Sequence, residues 1–222
     1  MTVQFVHLLD ELRRRSLRMA GLVEDIVQEA CEAVLNVDEP LARRVVARDS
    51  DVDSEEVKVE HEVIRLLALY QPVGSDLRLL CTILKVNNDL ERVADCAINM
   101  AERAKHLDSP TVRTHNREIR QLCTLGRQIL RDAVAAYVAE DESAAWKVVT
   151  QDDTMDALYS QFIRVVIAAA SREPESLASH LDILSVAKNL ERIADHATNV
   201  AEDVIFLATG QIVRHQAPGK GG

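Results

Sequence analysis

The residues of this chain best suited to chemistry lie in two acidic motifs a hundred residues apart. The first reads Glu91-Arg-Val-Ala-Asp95-Cys-Ala-Ile-Asn99-Met-Ala-Glu102 and the second Glu191-Arg-Ile-Ala-Asp195-His-Ala-Thr-Asn199-Val-Ala-Glu202, identical at eight of twelve positions. Helical residues four apart share a face, so Glu91/Asp95 and Glu191/Asp195 each present two carboxylates side by side. Such like charges repel by roughly a few tenths of a kcal/mol, and solvent, a nearby arginine or a cation must offset that. A second acidic pair precedes each motif: Asp49/Asp53 in the stretch 41–53 and Asp152/Asp156 in the matching stretch 144–156.

Counting along the chain puts these pairs at matched heights. Asp49/Asp53 centre on residue 51, which is 22 before a turn near 73, and Glu91/Asp95 centre on 93, which is 20 beyond it. In the second half, 154 is 19 before a turn near 173 and 193 is 20 after it. An antiparallel hairpin would therefore bring four carboxylates to one level, twice. Clustered carboxylates without Cys or His make a hard-oxygen site, suited to Mg, Ca, Mn and oxidised iron. With 36 acidic residues in 222, any one such pair reads most simply as a solvated face. The coincidence of two pairs at one height, in both halves, favours a cation site.

Asn99 and Asn199, one turn beyond the Asp, read either as extra or supporting ligands or as a hydrogen-bonded polar face, and Glu102 and Glu202 join them as candidates. Arg92 and Arg192 are expected in salt bridges. His196 has Cys96 as its counterpart, so a ligand role common to both sites is not expected of it, and Trp146 is expected to pack between helices. Glu91 and Asp95 flank Val93 of the apolar seam, which places the site on the outer face. That, with no Glu three residues before any of the seven histidines, argues against a buried di-iron site of the Glu-x-x-His kind. No Gly-rich phosphate loop or nucleophile elbow is present.

The elements that must position these groups are helices throughout. Apolar residues recur at helical spacing and no stretch alternates as a strand would. Helices are expected over 3–36, from the Asp38-Glu39-Pro40 turn to 70, over 76–106, 110–139, 143–171 and from the break at 172–175 to 209, with Gly210 as a stop. Leu79, Ile83, Val86, Leu90, Val93, Ala97, Met100, Ala104 and Leu107 step four, three, four, three, the seam of a bundle helix; Ile183, Val186, Leu190, Ile193, Ala197, Val200, Val204 and Leu207 repeat that phase. The expectation is an all-α chain of six long antiparallel helices in two tandem three-helix bundles with pseudo-twofold symmetry, 1–108 and 109–210, followed by a mobile tail, 211–222.

A net charge of −10 argues against nucleic acid as the main partner. The four cysteines lack C-x-x-C spacing and read as reduced thiols of a cytosolic protein. No signal peptide is evident, and no apolar run approaches the roughly 18 residues of a membrane span.

The doubled acidic pairs, the turn Gln71-Pro-Val-Gly-Ser-Asp76-Leu-Arg78 and the stretch from Glu191 to Phe206 together resemble the PhoU family of bacterial phosphate-uptake and phosphate-signalling regulators, over about residues 5–215. The resemblance implies two pseudo-symmetric three-helix bundles carrying multinuclear iron (Fe3+) or zinc clusters at the surface. Its candidate ligands are Asp49, Asp53, Glu91 and Asp95 in one half and Asp152, Asp156, Glu191 and Asp195 in the other. It implies a non-enzymatic cytoplasmic regulator, peripheral at the inner membrane face, that links the phosphate ABC transporter ATPase to a sensor histidine kinase and restrains uptake and the starvation response. A homodimer is expected. The turn with Asp76 and Arg78, a candidate partner contact, has no match in the second half, where Pro174-Glu-Ser-Leu stands. Two alternatives stay open on the residues alone: a metal-dependent phosphohydrolase and a metal-free helical adaptor.

Overall fold

The seam residues drive six rods together, and in the computed structural model, which describes residues 3–107 and 109–213, every one of them from Ile83 to Leu107 and from Ile183 to Leu207 is buried. The described residues contain no strand. In chain order the elements are α1 (Val3–Asn36), α2 (Glu39–Val46), α3 (Asp49–Tyr70), α4 (Ser75–Ala104), α5 (Ser109–Ala139), α6 (Glu142–Val149), α7 (Asp152–Ala170), a 3₁₀ turn (Pro174–Ser176) and α8 (Leu177–Thr209). The first bundle comprises α1, α2–α3 and α4; the second comprises α5, α6–α7 and α8.

At the centre α4 packs antiparallel on α8. Cross-pairs Lys85–Asp203, Asp89–Asn199 and Arg103–Asp182 follow one another in opposite chain directions. α1 and α5 also touch each other, so the apolar core runs without interruption from one half to the other. Val213 joins it beyond the end of α8; the rest of the expected tail, 214–222, lies outside the described residues.

Two of the six expected rods are broken, at equivalent places. α1 and α5 end on left-handed residues, Val37 (φ 51°) and Glu140 (φ 52°). Asp38 and Asp141 then cap the following helices, each side chain accepting from a backbone N–H three residues on, Leu41 at 2.9 Å and Ala144 at 3.0 Å. After eight residues α2 and α6 stop without Gly or Pro. The N–H of Arg48 reaches only back to Val45 (3.0 Å) and that of Gln151 to Val148 (2.9 Å), a tightened turn of 3₁₀ type. New helices start at Asp49 and Asp152. The periodicity carries through these breaks, which is why it predicts single helices there. The consequence is functional: the first acid of each leading pair sits in a first helical turn, where unpaired N–H groups favour negative charge.

Candidate metal centre

The matched heights expected from the sequence are realised most tightly in the second half. α7 supplies Asp156 and α8 supplies Glu191 and Asp195, and one carboxylate oxygen from each lies within 4.8 Å of the other two. Asp152 adjoins them and accepts a hydrogen bond from Thr198 Oγ1 at 3.4 Å. Burial raises the proton affinity of Asp152, and Asp156 raises it further. Asp195 is pushed up to about 6, first by desolvation and then by the charges of Glu191, Asp152 and Asp156. The ammonium of Lys188 partly offsets this, bonded to Glu191 and lying 5.5 Å from the ring centre of Tyr159.

The first half assembles the equivalent groups around an arginine. Arg92 spans its own pair, Nε to Glu91 Oε2 at 3.1 Å and Nη1 to Asp95 Oδ2 at 3.1 Å. Asp49 is raised by burial and by Asp53, Asp95 and Glu102, so Glu102 belongs to this cluster electrostatically. Glu91 is raised by burial and Asp95, against the lowering effect of Arg92, with Glu56 and Asp53 adding to the rise. Both clusters open to the outer face as expected, with Asp49, Asp53, Asp156 and Asp195 exposed, while the glutamates sit deeper. Glu91 and Glu191 keep only 19% and 12% of their side-chain surface, because the helices carrying the Asp pairs cover their flanks.

The remaining sequence candidates separate. Asn199 Nδ2 donates across the central interface to Asp89 Oδ1 at 3.2 Å, and His196 Nδ1 lies 2.9 Å from the same oxygen. Asn99 is exposed, and Glu202 is half-buried. Asp76 stands in the first turn of α4. Arg78 is half-buried over the end of α8, where a Cβ on Gly210 (φ +77°) would meet its guanidinium at 3.6 Å. That places a cation at the negative end of a helix dipole. Cys96, beside Asp95, is buried, and its thiol is pushed up to about 11, chiefly by that burial.

Sequence reasoning missed the polar ladder between α4 and α8. Buried Asp203 accepts from Lys85 Nζ at 2.9 Å, and Lys85 lies 4.9 Å from the ring centre of Phe206. The signal was present as Lys85 and Asp89, four apart, facing Asn199 and Asp203, also four apart.

Oxygen-only donors converging this closely, with the proton affinities of Asp195 and Asp152 raised first by burial and then by their acidic neighbours, fit a hard cation. Ferric iron suits this donor set better than zinc, which more often takes nitrogen or sulfur ligands.

Comparison with known proteins matches residues 16–104 and 119–204 to the PhoU domain. The chain is 37% identical over 216 residues to a phosphate-specific transport system accessory protein, PhoU homolog, of Pseudomonas putida, covering 96% of this chain and 83% of that protein. It is 37% identical over 209 residues to the similarly named protein of Aquifex aeolicus, covering 94% of each. The crystal structure of PhoU from Pseudomonas aeruginosa superposes with a TM-score of 0.89 at 34% identity, covering 93% of this chain and all (100%) of that one.

Proposed function

This chain belongs to the PhoU domain family, and we propose on that basis that it is a non-enzymatic regulator of phosphate transport and phosphate signalling. The observation that carries the reading is relatedness along nearly the whole chain to proteins named as phosphate-specific transport accessory proteins. In this reading it binds the ATPase of a phosphate ABC transporter and a sensor histidine kinase at the cytoplasmic membrane face, as a homodimer, and restrains uptake and the starvation response. None of the described helices is long and apolar enough to cross a membrane, so attachment would run through those partners.

The acidic clusters are the part of the surface that would be shaped by metal. Asp152, Asp156, Glu191 and Asp195 would hold one multinuclear iron or zinc cluster, and Asp49, Asp53, Glu91 and Asp95 the other. Bound there, the metal supplies positive charge that neutralises the acids and crosslinks neighbouring rods. The chain's own groups set its reception: Lys188 and Arg92 are the internal counter-ions that must yield, and Thr198 holds Asp152 in place.

The test is genetic and physical together. Deleting the gene is expected to switch on a phosphate-starvation reporter in phosphate-replete cells, and the wild-type chain to silence it and to co-purify with the transporter ATPase. A reporter that stays silent on deletion, with no ATPase recovered, contradicts the reading.

A further inference from the structure

The pseudo-symmetry exposes a substitution in the core that neither acidic cluster explains. The capping residues Asp38 and Asp141 are 103 apart and the acidic motifs 100 apart, so Leu12 of α1 corresponds to His115 of α5 and Leu80 of α4 to His180 of α8. Both leucines are fully buried. Both histidines are too, at 1% and 2% exposure, with ring centres 5.4 Å apart. One apolar layer of the first bundle has thus become a pair of imidazoles in the second.

These imidazoles are incompletely satisfied. Neither Nδ1 nor Nε2 of His115 has a hydrogen-bond partner, and a buried polar atom left unpaired costs about 1–3 kcal/mol. His180 Nδ1 lies 2.9 Å from the carbonyl oxygen of Ser176. A carbonyl only accepts, so Nδ1 carries the proton and Nε2 is left with its lone pair. A histidine whose second nitrogen is fixed by a backbone carbonyl is the usual arrangement of a metal-ligating imidazole.

We propose that His115 and His180 form a seat for a divalent transition-metal ion of the zinc class, separate from the carboxylate clusters. With metal–nitrogen distances of about 2.0–2.1 Å, two imidazoles on one tetrahedral ion place their ring centres about 5 Å apart, close to the separation observed here. Imidazole donors select zinc, copper or nickel over the hard cations that oxygen clusters take. Burial and His180 lower the proton affinity of His115, which favours the neutral ring that a metal needs. Glu118, one turn further along α5, and Glu173 are the acids whose charge reaches His115, but neither converges with both imidazoles within ligand distance, so the remaining positions of the ion would fall to water. Entry is through a groove lined by Ile167, Leu177, Leu181 and His180 itself, with a volume near 270 Å³. The seat stands eleven residues before Glu191 on α8, roughly 16 Å away along the helix.

The experiment titrates chelator-stripped protein with Zn²⁺ against a chromogenic competitor, wild type beside His115→Leu/His180→Leu, which restores the leucines of the first half. The expected result is one zinc equivalent per chain present in wild type and absent from the variant, and still present in Asp156→Asn/Glu191→Gln/Asp195→Asn. In wild type alone, the imidazole ¹⁵N resonances of both histidines are expected to move on zinc addition, a readout that stands even if the double variant folds poorly. Equal zinc stoichiometry in wild type and the histidine variant, or imidazole resonances that do not move, overturns the assignment.

Discussion

The two acidic clusters share a backbone and a motif and differ in their counter-ions. In the first, one guanidinium lies across both Glu91 and Asp95. In the second, Arg192, the counterpart of Arg92, pairs with neither Glu191 nor Asp195 among the described residues; Lys188 bonds Glu191, and Asp195 is left raised to about 6. Duplication therefore preserved the acids and let their neutralisation diverge. In the first cluster Arg92 offsets part of the repulsion that still raises Asp49 and Glu91, and the second is held in greater electrostatic tension that a proton or a cation relieves.

The largest effect expected of any test of this asymmetry lies at the interface that joins the halves. Lys85→Met takes from buried Asp203 the cation it is bonded to and should cost about 3 kcal/mol in a urea unfolding curve, because removing one member of a buried ion pair is strongly destabilising. For comparison along the same interface, Arg103→Met removes only a long, more exposed contact to Asp182 and should cost no more than about 1 kcal/mol.

The clusters themselves should respond to a different extent. Asp195→Asn removes repulsion, so metal-free protein at pH 7 should gain about 1 kcal/mol, a figure already reduced for solvent screening. Asp95→Asn removes a partner of Arg92 together with a charge that raises Asp49 and Glu91, so the two effects nearly cancel and stability should change by less than about 1 kcal/mol. An equal gain from thermal unfolding of the two variants in chelator would erase the distinction.

The pH dependence follows from the same residue. The pKa of Asp195 in the folded chain, about 6, lies above that of an unfolded aspartate, near 3.9. The folded state therefore binds more protons in that window, and its contribution to stability is present at low pH and lost as pH rises through 6. Wild type without metal should melt higher at pH 5.5 than at pH 7, and Asp195→Asn should flatten the difference. The smallest effect is at the shared left-handed turn: Val37→Gly should change stability by less than about 1 kcal/mol, relief of backbone strain being offset by lost packing of a half-buried side chain.

The rods and the matched heights of the acids were legible because both depend on periodicity and counting, and Ile83 to Leu107 carry the seam without exception. The breaks before Asp49 and Asp152 were not legible. Ala47, Arg48, Thr150 and Gln151 are ordinary helical residues, and tertiary packing rather than local preference bends the chain there. The uneven neutralisation was invisible too, since Arg92 and Arg192 are the same residue in the same motif and only side-chain placement separates them. The paired histidines could have been found by aligning the halves, but a helical pattern accepts His as readily as Leu at a single position.

The central claim is that carboxylates from adjoining rods, converging at Asp156, Glu191 and Asp195, hold cations. The direct measurement is elemental analysis of natively purified wild type beside Asp156→Asn/Glu191→Gln/Asp195→Asn. The account predicts that iron or zinc per chain falls by at least the content of one cluster in the variant; the same metal content in both proteins would contradict it.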